Sequence, residues 1–227
     1  MGALMKLKVE SFAIGSYGCN CTVIYDEISR QALAVDPGND AKTFLQWISD
    51  RDLKVTHLLH THAHFDHIGG SKIVREQTGA KVCLHKGDKL LYQALPVQSM
   101  MFGQAPMTAG PVDHFLQDEE EFNIQQPLSV ENAGKPFGLK TLYTPGHTEG
   151  SCCFYSDQLD QPLLLAGDTL FQGSVGRTDL PGGDFNQLKK SIRDRLYNLP
   201  EETLVITGHG PSTTIGAEGK HNPFVNF

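Results

Sequence analysis

The chain has 227 residues, 39% of them hydrophobic and 20% charged, which suits one soluble domain over 1–227 and excludes a disordered or fibrous chain. No apolar run approaches the ~20 residues of a membrane-spanning helix, and the N-terminus lacks the apolar core of a secretory signal. A net charge of −7 without a Lys/Arg-rich stretch argues against nucleic acid or an anionic membrane as partner.

At the start of the chain Gly2 invites an acylation reading, but Lys6 stands where an N-myristoylation signal needs Ser or Thr. Residues 9–15, 21–25 and 32–35, rich in β-branched or apolar side chains, are predicted strands. Asp36-Pro37-Gly38-Asn39-Asp40 is a turn. Phe44, Leu45 and Ile48 give 41–49 the spacing of an amphipathic helix. A strand at 55–60, a helix at 68–78 and a strand at 81–84 make a βαβ alternation. Two prolines and several Met and Gln residues predict a long loop over 95–110. Its Met100, Met101 and Phe102 would line an apolar pocket or a subunit contact. Further strands are predicted at 139–143, 152–155, 162–166 and 204–207. Leu188, Ile192, Leu196 and Leu199 space a helix over 186–199. The class is α/β, with helices outside many short strands.

Five cysteines, Cys19, Cys21, Cys83, Cys152 and Cys153, form no Cys-x-x-Cys pair. Cys152 and Cys153 are neighbours, so on a strand they face opposite sides of the sheet. They read as reduced structural cysteines of a cytoplasmic protein.

The chemistry concentrates at strand ends. Thr61-His62-Ala63-His64-Phe65-Asp66-His67 follows an apolar strand directly, and in an extended segment His62 and His64 project to the same side. Imidazoles and a carboxylate this close suit zinc, iron or manganese. Three more apolar strands end in turns bearing His147, Asp168 and His209. Taken singly, each has a bland role: Asp66 as a helix cap, His147 and Asp168 as turn residues. Strand ends of α/β folds converge on one edge, however, and together they offer five histidines and two aspartates. One metal ion rarely needs so many ligands; two ions ~3.5–4 Å apart use them well.

The pattern His62-x-His64-x-Asp66-His67 with His147, Asp168 and His209 resembles the metallo-β-lactamase superfamily. That resemblance implies a four-layer αββα sandwich, with two central mixed sheets flanked by helices. Thr144-Pro145-Gly146-His147-Thr148-x-Gly150-Ser151 and Gly167-Asp168-Thr169-Leu170-Phe171 are similar to its glyoxalase II (hydroxyacylglutathione hydrolase) branch. Gly176-Arg177-Thr178-Asp179, Gly208-His209-Gly210-Pro211 and His221-Asn222-Pro223-Phe224 resemble the short bacterial form. Few residues follow His209, so the glutathione-holding C-terminal helical extension of the long form is not expected.

By that resemblance His62, His64 and His147 would hold one divalent ion, Asp66, His67 and His209 a second, and Asp168 would bridge them. Zinc is the first expectation, with iron or manganese compatible. Asp66 and Asp168 would be catalytic, and Arg177 and His221 would meet the substrate. The implied reaction is hydrolysis of a glutathione thioester, S-lactoylglutathione to lactate and glutathione, by a hydroxide held between the ions. The expected partner is that small-molecule thioester, and the expected assembly a monomer or small homo-oligomer. Two alternatives share the fold: a persulfide dioxygenase with one iron, and a lactonase.

Overall fold

The computed structural model describes residues 6–124 and 137–227; Gly2 lies outside the described residues. The chain begins with an antiparallel meander: β1 (Leu7–Ile14), β2 (Cys19–Asp26) and β3 (Gln31–Val35). Then α1 (Ala41–Ser49) crosses over to β4 (Lys54–Leu59), which pairs parallel to β3. Two further helices, α2 (Phe65–Ile68) and α3 (Ser71–Thr78), lead to β5 (Lys81–His85), again parallel. After α4 (Lys89–Gln93) and α5 (Leu95–Met101), β6 (His114–Leu116) closes a six-stranded sheet in simple sequential order.

The second sheet is built from β7 (Glu121–Ile124), β8 (Phe137–Tyr143), β9 (Cys152–Ser156) and β10 (Leu163–Gly167). A small ribbon of β11 (Leu170–Phe171) and β12 (Ser174–Val175) follows, then α6 (Phe185–Ser191). The chain returns through β13 (Leu204–Thr207) and β14 (Thr213–Thr214) to α7 (Ile215–His221). The sheet order is β14-β13-β10-β9-β8-β7, mixed because β10 and β13 are parallel.

Period-two alternation sorts the strand residues into layers. Ile24, Leu33, Val35, Leu59 and Cys83 point inward from the first sheet, against Phe137, Leu139, Phe154, Leu163 and Leu165 of the second. The intervening residues Val23, Ala32, Ala34, Leu58 and Val82 point outward, under Phe44 and Ile48 of α1 and Val74 of α3. On the far side Leu142, Leu164 and Val205 lie under Leu188 of α6 and Ile215 of α7. Helix, sheet, sheet, helix is the expected four-layer sandwich. The central strands are buried on both faces, which is why β3 and β10 read as nearly unbroken apolar runs, while the edge strands β1 and β7 keep exposed positions. Cys152 and Cys153 do part to opposite faces, and all five cysteines are buried and free.

Some expectations need correction. Residues 95–110 are not all loop: 95–101 form α5, because Pro96 sits in the first helical turn, where its missing N–H costs nothing. The helix expected over 68–78 breaks at Gly69 and Gly70. A Cβ on Gly69 would lie 2.3 Å from the Phe65 carbonyl oxygen and 2.5 Å from Met107 Sδ. The helix expected over 186–199 is α6, followed by a π-helical turn, Ile192–Leu196. Among the described residues no helix is long and apolar enough to cross a membrane.

Candidate metal centre

Four strand ends on one edge of the sandwich carry the polar cluster. The segment after β4 holds His62 and His64, and α2 holds Asp66 and His67. His147 lies in the turn after β8, Asp168 directly follows β10, and His209 lies just beyond β13. Gly167 has φ +48°, a left-handed conformation that aims Asp168 back over the sheet edge.

All seven predicted ligand residues come together, in two groups. His147 Nε2 lies 2.9 Å from His64 Nδ1 and 3.2 Å from His62 Nε2. His209 Nε2 lies 3.1 Å from His67 Nε2 and 3.2 Å from Asp66 Oδ2. Asp168 stands between them: Oδ1 is 3.4 Å from His67 Nε2, and Oδ2 is 3.7 Å from His147 Nε2. One carboxylate thus turns one oxygen toward each group.

Outward hydrogen bonds fix which ring nitrogen carries the proton. His147 Nδ1 donates to the Arg177 carbonyl at 2.8 Å, and His209 Nδ1 to the Tyr17 carbonyl at 3.1 Å. His67 Nδ1 donates to Asp36 Oδ2 at 2.9 Å. His62 Nδ1 donates to Thr61 Oγ1 at 3.0 Å, whose own hydroxyl proton goes to Asp36 Oδ2 at 2.6 Å. A carbonyl can only accept, so each inward nitrogen presents a lone pair in the neutral ring. Lone pairs facing one another at such distances repel unless a cation or a proton sits among them. Asp168 Oδ1 is buried and has no hydrogen-bond partner. The donor set therefore fits a divalent metal pair on the protein's own geometry: mixed nitrogen and oxygen, with a shared carboxylate.

The electrostatics divide the two groups: for His67 burial pulls downward, but the charges of Cys19, Asp168, Asp66 and Asp36 more than compensate and hold its pKa well above the ordinary value. Burial, reinforced by the neighbouring imidazoles, holds the His62 pKa well below the ordinary value. Burial and His147 push His64 down to about 3. Burial alone would raise the Asp168 pKa, but His67 and His147 hold it well below the carboxylate range. For His209 burial pulls downward and the Asp66 carboxylate more than compensates, raising the pKa. Near neutral pH His62 and His64 are thus neutral and Asp168 is ionised, the states in which metals bind them.

The two expected substrate residues stand differently. The Arg177 guanidinium is exposed and doubly hydrogen-bonded to Asp179, at 2.7 Å each way; only its carbonyl meets the cluster. His221 is exposed at the end of α7, and no hydrogen bond or ion pair joins it to the cluster among the described residues. One participant went unnoticed in the sequence. Asp36, read only as part of a turn, also accepts from the Thr61 N–H at 2.8 Å, and so braces both histidine-bearing elements. Its signal is the one that marks Asp168, an Asp at the end of an apolar strand.

The metallo-beta-lactamase superfamily model matches residues 14–209. The chain is 34% identical over 221 residues to the hydroxyacylglutathione hydrolase GloC of Haemophilus influenzae, covering 97% of this chain and 99% of that one. Among solved structures it is similar to BLEG-1 B3 metallo-beta-lactamase, with a TM-score of 0.83, 37% identity, and coverage of 97% of this chain and 100% of that one. It is also similar to TTHA1623 in a di-iron-bound form, with a TM-score of 0.81, 34% identity, and coverage of 96% and 100%. Four-layer architecture, a His/Asp metal-binding cluster at the sheet edge and these likenesses agree: the chain belongs to the metallo-beta-lactamase superfamily.

Proposed function

We propose that this protein is a dinuclear metal hydrolase that cleaves thioesters of glutathione, with S-lactoylglutathione as the first candidate. The observation that carries a dinuclear centre is Asp168, whose two oxygens face the two ligand groups. The thioester preference rests on the motif similarity and on the GloC relative, along nearly the whole of both chains. His62, His64 and His147 would hold one ion, and Asp66, His67 and His209 the other. Bound divalent ions supply Lewis acidity and lower the pKa of a coordinated water to about 7.

The chain's own residues do the rest. Asp66 and Asp168, ionised, balance positive charge and orient a nucleophilic water between the two groups. The outward hydrogen bonds to Arg177, Tyr17, Thr61 and Asp36 hold the imidazoles in place, so no reorganisation is needed as charge develops on the substrate carbonyl. Arg177 could reach a substrate carboxylate only by leaving Asp179. Zinc is the proposed metal, and iron suits the same donors.

The test is loss of thioester absorbance from S-D-lactoylglutathione, run beside metal content and a His64→Ala control. Turnover that the control lacks is expected. Two metal equivalents without turnover would reject the substrate, and one iron with oxygen uptake on glutathione persulfide would reject the hydrolase in favour of a dioxygenase.

A further inference from the structure

A buried carboxylate outside the seven converging side chains has no part in the chemistry above. Asp88 ends a 3-10 turn, Lys86–Asp88, between β5 and α4, and is 1% exposed. Its Oδ2 accepts from the Ala63 N–H at 2.8 Å and from the Thr148 hydroxyl at 2.9 Å. Its Oδ1 accepts from the Gly150 N–H at 2.7 Å. Ala63 lies between His62 and His64, and Thr148 immediately follows His147. No cation pairs with Asp88 among the described residues, so three donors alone offset its burial, which still holds its pKa above the ordinary carboxylate value.

The surrounding backbone is shaped to this contact. A Cβ on Gly150 would lie 2.6 Å from Asp88 Cγ, and one on Gly87 would lie 2.6 Å from the Glu149 carbonyl oxygen. Two glycines thus let the 148–150 segment rest directly on the 86–88 turn. The chemistry asks for an acid. An amide has one acceptor oxygen, and its NH2 group would face either the Gly150 N–H or the Ala63 N–H.

We infer that Asp88 is a positioning residue for the three-imidazole group. A single carboxylate ties the segment carrying His62 and His64 to the loop carrying His147, and so sets the spacing of the three nitrogens. Ligand distances must hold within about 0.2 Å for tight binding, which makes such a tie consequential. None of its three bonds reaches the segments carrying Asp168 or His209, and in the second group His67 is held by Asp36 and Asp66 meets His209, so the effect falls on the three-imidazole group. This inference rests on the dinuclear centre proposed above.

The experiment is zinc(II) competition against a chelating indicator on wild type and Asp88→Asn, with urea unfolding of each. One zinc equivalent should weaken about 10–100-fold while the other keeps its wild-type affinity. Wild type binding fewer than two equivalents would refute the dinuclear centre itself. Wild type binding two, with Asp88→Asn matching both affinities, would refute the inference about Asp88. Equal weakening of both equivalents together with a fall in the unfolding midpoint would make Asp88 an ordinary buried acid, and also refutes it. Should Asp88→Asn fail to fold, Thr148→Val removes one donor of the three. It should show the same selective weakening, smaller in size, and Thr148→Ser should restore both affinities. Unchanged affinities in Thr148→Val would then overturn the inference.

Discussion

Gly208→Ala is the most economical perturbation of the centre, because it adds one methyl group and replaces no candidate ligand. A Cβ there would lie 2.0 Å from Asp168 Oδ1, against about 3.4 Å for ordinary contact, and 3.0 Å from His67 Cε1. The Gly208 backbone cannot retreat. Its N–H donates to the Gly167 carbonyl at 2.7 Å, and its carbonyl accepts from the Asn20 N–H at the same distance. The Asp168 side chain is the softer party, so it should move by about 1.4 Å. That is several times the ~0.2 Å within which a ligand distance must hold. The expected result is a loss of about 10–100-fold in affinity for at least one metal equivalent, with a matching fall in kcat/KM. Overpacking should cost global stability about 1–3 kcal/mol. Chelator competition, thioester turnover and urea unfolding report the three quantities separately. Wild-type metal affinity and turnover in Gly208→Ala would refute the bridging position assigned to Asp168.

Two further predictions test the frame around the centre. Phe44 is fully buried beneath the first sheet, so Phe44→Ala should cost about 3–5 kcal/mol in urea unfolding while the folded fraction keeps its metal stoichiometry; a cost under about 1 kcal/mol would contradict the packing described. Burial and then the charge of Lys81 lower the His57 pKa below the usual 6.5, so the unfolded chain binds this proton more readily than the folded one. Stability from this group is complete above the unfolded pKa and declines as pH falls through it toward the folded value. Wild type should therefore lose more stability than His57→Gln between pH ~7 and ~5, and an NMR titration midpoint of His57 at or above 6.5 would contradict it.

The convergence of the candidate ligands was legible because its signal is local and dense. Four potential ligands within six positions after an apolar strand have few other uses, and three more strands ending in His or Asp complete the pattern. The sheets were legible for a similar reason, since strands such as Leu163–Gly167 are apolar throughout. What escaped has causes the sequence does not carry. At the break after Ile68 the Gly70 N–H leaves the helix for the Gly38 carbonyl, 2.9 Å away and far back along the chain, and the two-residue strands β11, β12 and β14 are too short to show a period. Pro96 was weighed as a breaker although a first-turn proline starts a helix as readily as it ends one. The resemblance makes Arg177 a substrate residue, yet its contact with the cluster is through a carbonyl that any residue possesses.

The polar links around the centre also fix the register of the two sheets at this edge of the sandwich. Asn20, near the start of β2, donates through Nδ2 to the Thr207 carbonyl of β13 and to the Gly210 carbonyl just beyond it, at 2.9 Å each. The Cys152 N–H of β9 donates to the Thr61 carbonyl at 2.8 Å, and Cys19 forms a bridge with His209. Apolar contacts between Leu33, Val35, Phe154 and Leu165 hold the two sheets together but are non-directional, and would tolerate a small slide. Hydrogen bonds across the sheets would not, because they weaken steeply with misalignment. Buried polar groups cost free energy wherever they are left unpaired, so their concentration at the strand ends marks the place where register matters most. The candidate ligands from the first sheet, His62, His64, Asp66 and His67, and those from the second, His147, Asp168 and His209, meet there. Each group of candidate ligands draws on both sheets, so the relative position of the sheets and the geometry of the candidate metal centre are set by the same bonds.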